Sequence, residues 1–69
     1  MYKIYTAAGK EIHPELKFYR LNSAIARCVK DEKEPVTDVT ITPDEKGYIV
    51  ALMRADDKTV ELTIKVIDA

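Results

Sequence analysis

The sequence predicts an α+β fold: a single helix packed on an antiparallel sheet, in the order β(β)αβββ, closing with a C-terminal three-stranded meander. Three observations carry that prediction. Val60, Leu62, Ile64 and Val66 alternate with Thr59, Glu61, Thr63 and Lys65, the period-two pattern of a strand with one buried and one wet face. Turn-forming residues at Pro43–Gly47, with Gly47 suited to a left-handed position, and at Asp56-Asp57 divide the last third of the chain into three strands. Upstream, Phe18, Leu21, Ile25, Cys28 and Val29 recur at helical spacing within a stripe about 100° wide.

Taken in order, Tyr2–Thr6 is short, aromatic and β-branched, which suits a strand. Ala7 to Lys10 reads as a turn around Gly9, with a short second strand over Lys10 to Ile12. Pro14 ends that segment, because it lacks an amide hydrogen and biases His13 toward an extended conformation. The helix is expected from about Leu16 to Lys30, with a start as late as Asn22 or Ser23 as the alternative. Asn22 is the candidate N-cap. Asp31 and Glu32 oppose the dipole of a longer helix, and Pro35 enforces the stop.

The meander leaves one ambiguity. The strand starting at Gly47 is apolar in both phases, with Tyr48, Val50 and Leu52 pointing one way and Ile49, Ala51 and Met53 the other. If Thr42 pairs with Tyr48 and the last hairpin has a two-residue turn at Asp56-Asp57, then Ile49, Ala51 and Met53 join Val39, Ile41 and the Val60 series under the helix. Tyr48, Val50 and Leu52 then face outward as an association surface. A three-residue turn at Asp56 to Lys58 exchanges the two trios, since one residue of slip moves every side chain to the other face. Alternatively, Tyr2, Ile4 and Ile12 fold across the outward trio and cover it.

At 69 residues the chain has room for one compact domain spanning residues 1–69, and burial on folding is expected at only about 60% of the unfolded surface. With 46% hydrophobic and 33% charged residues it is an ordered globular sequence, not a disordered one. A formal net charge of −1 provides no global field for nucleic acid or an anionic membrane. The single cysteine excludes an intramolecular disulfide framework. No run of residues is long and apolar enough to suggest a membrane span or a secretory leader, so the cytoplasm is the expected compartment.

Chemistry-bearing patterns are sparse. One histidine, His13, and one cysteine, Cys28, have no metal-ligand spacing around them, and Cys28 on the apolar stripe reads as a buried core residue. Asp44-Glu45 and Asp56-Asp57 are explained by turn chemistry. Gly9 and Gly47 stand alone, so no phosphate loop is present. No catalytic, cofactor-binding or metal-binding residue is assigned, and no small-molecule substrate is implied. The βαββ outline with Ala24-Ile25-Ala26-Arg27 in the helix resembles the dodecins, small flavin-storing oligomers. Without a tryptophan to stack on a flavin, and with a strand pair more than that pattern has, the chain is expected to carry no cofactor.

The expected function is therefore non-catalytic protein binding: a regulator or inhibitor of a larger protein, or a homodimer, acting through Tyr48, Val50 and Leu52 or a sheet edge. The alternative is a nucleic-acid-binding regulator that uses Lys17, Arg20, Arg27 and Lys30 as a basic strip along the helix, spread over roughly 140°. Acidic neighbours and the neutral balance weigh against it.

Overall fold

The computed structural model describes residues 1–67. Its elements are β1 (Tyr2–Thr6), β2 (Glu11–Ile12), α1 (Leu21–Lys30), β3 (Val36–Asp44), β4 (Gly47–Arg54) and β5 (Thr59–Val66). The strands form one antiparallel five-stranded sheet in the order β2-β1-β5-β4-β3, with α1 packed on one face. The predicted class, element order and C-terminal meander are all present.

Four expectations need correction. First, Phe18 belongs to no helix. Its carbonyl accepts a 2.7 Å hydrogen bond from the Tyr2 amide in an isolated antiparallel bridge. That pairing takes Phe18 out of the helix, and Arg20, in an extended conformation (φ −128°, ψ 141°), becomes the N-cap. The helix therefore starts at Leu21, and Asn22 sits inside the first turn without capping it. Phe18 still reaches the core, from the strand side instead of from the helix.

Second, the apolar trios of β4 are exchanged. Thr42 pairs with Ile49, not with Tyr48, and the β3–β4 hairpin closes in a two-residue turn at Glu45-Lys46. The β4–β5 hairpin closes over three residues, Ala55 to Asp57, because the Arg54 amide bonds the Lys58 carbonyl. Asp57 takes the left-handed position (φ 64°) that such a loop requires. Each hairpin differs from the expected register by one residue, so Tyr48, Val50 and Leu52 turn toward α1. Val50 and Leu52 are fully buried and Tyr48 half-buried; they do not form an exposed trio.

Third, the N-terminal hairpin does not fold across a sheet face. β1 adds to the edge of β5, with Ile4 opposite Ile64, and β2 adds to β1, with Ile12 opposite Ile4.

Fourth, Gly47 does not occupy a left-handed conformation; among the glycines only Gly9 (φ 90°) does. Gly47 is needed because the β5 backbone crosses its α-carbon. A Cβ there would collide with the Ile64 carbonyl oxygen and lie 2.9 Å from Lys65 Cα.

The core is Ile4, Phe18, Ala24, Cys28, Val50, Leu52, Leu62 and Ile64, on one side of the sheet. Leu21, Ile25 and Val29 extend it from the helix, and Val36, Val39 and Val60 from the strands. A bulge between Val36 and Asp38 lets both Val36 and Val39 pack toward the core despite their odd spacing.

Candidate functional site

The strand registers place Ile49, Ala51 and Met53 on the face opposite the helix. Ile49 lies between Thr42 and Thr63, Ala51 between Thr40 and Glu61, and Met53 between Asp38 and Thr59. Tyr5, opposite Thr63, extends the surface toward β1, and Lys65 Nζ lies 4.6 Å from its ring centroid. Met53 is 50% exposed, while Ile49 and Ala51 are partly shielded by their neighbours. Among the described residues no element covers this face. The result is a short apolar ridge on β4, bordered by threonine hydroxyls and a few charges.

A second uncovered apolar area lies on the helix side. α1 starts beside Tyr2 and leads to the strand end at Val36, so the far corner of that face stays open. Ile41 and Val66 are 43% and 47% exposed there. A shallow depression of about 430 Å³ runs from Val66 past Tyr48, Gly47 and Lys46 to Pro43. Tyr48 is thus the one member of the expected binding trio that retains some access to solvent.

The basic strip is not assembled. Lys17 and Arg20 precede the helix, leaving Arg27 and Lys30 on it. Arg27 is half-buried, with its Nε 3.4 Å from Asp31 Oδ1 and no hydrogen bond. A continuous helical row of four cations facing phosphates does not exist in this fold.

His13 adopts a left-handed backbone (φ 52°) in place of the extended one expected before proline. That conformation is uncommon outside glycine, though histidine is among the residues enriched in it. Its Nε2 lies 2.5 Å from Asp31 Oδ2, and its Nδ1 lies 3.9 Å from Glu15 Oε1. Asp31 is the C-cap of α1, where the dipole disfavours negative charge. Arg27 offsets that charge, and the contact between His13 and Asp31 fastens the segment after β2 to the end of the helix. The cluster is thus a structural staple between those two segments.

Cys28 is buried, and burial pushes its thiol up to about 11, helped by the nearby charge of Asp31. A thiolate nucleophile needs the opposite shift. Among the described residues no group of histidine, cysteine, aspartate and glutamate side chains could hold a metal ion, and no helix is long and apolar enough to cross a membrane.

The site that sequence reasoning missed is the ridge Ile49–Ala51–Met53. Its signal was present, since both trios were recognised as competing for the helix. Which one wins depends on the length of two turns. Comparison with protein-family models, curated proteins and solved structures found no match to this chain.

Proposed function

We propose that this chain is a small non-catalytic protein-binding module that regulates or inhibits a larger protein through the face of its sheet opposite the helix. One observation carries the reading: a single helix covers one face of a five-stranded sheet in which β4, between β5 and the edge strand β3, is apolar on both. The helix-side residues complete the core, and Ile49, Ala51 and Met53 are left over. Contiguous apolar surface with a polar border is the usual composition of an association site. The flanking threonines add hydrogen-bonding capacity at the rim without the desolvation cost of buried charge.

The test uses Ile49→Lys and Met53→Lys, together, in affinity capture from the source cells followed by titration of the purified partner. The double variant is expected to melt close to the wild-type temperature and to lose at least tenfold in affinity for that partner, as about 1.4 kcal/mol of lost contact would give. Undiminished binding by a folded double variant would move the interaction elsewhere on the molecule.

A further inference from the structure

We infer that β3 is a self-pairing edge: two copies of the chain join antiparallel along it, about a two-fold axis at Thr40, into one continuous sheet. This surface is separate from the outer-face ridge and does not depend on it. β3 is the last strand of the sheet, and its outer side has no partner strand among the described residues.

Three observations agree on which backbone groups point outward. The Arg54 amide donates to the Lys58 carbonyl just before β5, and the Lys46 carbonyl accepts from the Val66 amide, so the alternation of an antiparallel ladder directs Ile49, Ala51 and Met53 toward β3. Their partners Thr42, Thr40 and Asp38 then face inward, and Val39, Ile41 and Pro43 face the free edge. Consistently, the Val39 amide makes no ladder bond and donates instead to Asp38 Oδ1 at 3.0 Å. Pro43, with no amide hydrogen, is tolerated because its nitrogen lies on that same free side.

The register follows from what the two ends of the strand allow. A bulge between Val36 and Asp38 ends regular geometry on one side, and Pro43 ends hydrogen bonding on the other. A two-fold at Thr40 sets Thr37 opposite Pro43, so the two interruptions coincide. Between them Val39 faces Ile41 twice, and each such pair exchanges two backbone hydrogen bonds. Asp38 faces Thr42, whose hydroxyl donates to the carboxylate once Ile41 O has taken the Val39 amide. Centring instead on Asp38 or Ile41 opposes Asp38 to another aspartate, and centring on Val39 opposes Asp44 to Glu34; like charges directly opposite are destabilising. Centring on Thr42 puts Pro43 opposite Ile41 and removes one of the two bonds from each central pair. At Thr40 the half-exposed Ile41 gains an apolar neighbour, Val39 of the second copy, on the helix side of the sheet.

Such a contact is smaller than the roughly 1,200–2,000 Å² of a stable interface. The dimer is therefore concentration-dependent and is sought at up to about 1 mM, the weak end of specific association. Sedimentation equilibrium is expected to show mass rising from 7.8 kDa toward twice that value. Ile41→Pro removes a donor from the free edge and none from the β3–β4 ladder, and it is expected to hold the chain at single mass. Because that variant could unfold, a second measurement fixes the register. Thr40→Cys places two thiols across the axis, in a pair without mutual hydrogen bonds, where Cα atoms are closest at about 4.5 Å. It should form a covalent dimer on mild oxidation, at least tenfold faster than Thr42→Cys, while buried Cys28 stays silent. A wild-type chain of single mass at the highest concentration overturns the inference, as does equal cross-linking at the two positions. Either result leaves the outer-face reading standing, since Ile49→Lys and Met53→Lys touch neither the edge nor the axis.

Discussion

Leu52 and Met53 are neighbours in the chain with opposite environments, one fully buried and the other half exposed. Leu52→Lys is expected to unfold the protein, because an unpaired ammonium in this core costs several kcal/mol against a stability of about 5–15 kcal/mol. Met53→Lys should leave the melting temperature within a few degrees, since surface substitutions away from special features usually stay within about ±0.5 kcal/mol. A thermal melt of the two variants side by side checks the strand phase. The reverse result would restore the register in which Tyr48, Val50 and Leu52 face outward. Cys28 offers a check on the helix. Its burial, and a thiol pushed up to about 11 by desolvation and Asp31, should make it slow to react with a thiol reagent in the native state and fast after denaturation. Equal rates in both states would show that Cys28 does not face the sheet. Its burial was legible in the sequence, because a small apolar side chain on a helical stripe has one destination. The reason for Gly47 was not legible: a lone glycine after turn residues suggests positive φ, and only the fold reveals a β5 backbone too close for any Cβ.

Among the elements, the β4–β5 loop and the connection from α1 to β3 are held together by Arg54. Its Nε and Nη2 meet the Asp56 carboxylate at 3.1 and 2.5 Å, and its Nη1 lies 3.5 Å from Glu32 Oε1. The Ala55 amide bonds the Pro35 carbonyl at 2.9 Å beside them. Partial desolvation raises the Asp56 carboxyl, but the Arg54 hydrogen bond, the Lys58 amide and the Arg54 charge outweigh it and hold the group below its ordinary 3.8. A depressed carboxyl stabilises the native state fully above its ordinary value, and that contribution disappears as pH falls through the lowered one. Thermal melts of the wild type across the acid range should therefore fall more steeply below about pH 4 than those of Asp56→Asn. Parallel curves would mean the clamp adds nothing in solution, as many exposed ion pairs do not. This clamp also explains why the turn was misread. Asp56-Asp57 looks like a two-residue turn, but Asp56 is held back toward Arg54, Asp57 takes the left-handed position, and Ala55 is drawn into the loop. The helix start was hidden for a similar reason: Phe18 fits the helical stripe, yet its backbone is taken by Tyr2, more than a dozen residues earlier.

At the scale of the molecule, the class, the order of elements along the chain and the C-terminal meander were legible because alternation in β5, the turn clusters and the helical stripe are local signals that agree with one another. The face of β4 was not, because a strand apolar in both phases carries no local record of which phase is buried. The same contrast between local and distant information bears on how the chain folds. The β3–β4–β5 meander is made of adjacent hairpins, whereas β1 must meet β5, pairing Tyr2–Thr6 with residues 62–66 near the far end of the described chain. Loop-closure entropy makes that pairing the expensive one, so it is expected after the meander has formed. Ile4 sits at the centre of β1 between Ile12 and Ile64 and is fully buried, while Val50 holds the equivalent place in the meander. Ile4→Val should destabilise by about 0.5–1.5 kcal/mol, with the change appearing as faster unfolding and an almost unchanged folding rate. Val50→Ala should slow folding instead, because its contacts already exist at the barrier. Stopped-flow refolding and unfolding of both variants measures the two partitions directly. If Ile4→Val slowed folding and Val50→Ala did not, the terminal strands would be meeting first, and the sheet would grow outward from the β1–β5 pair.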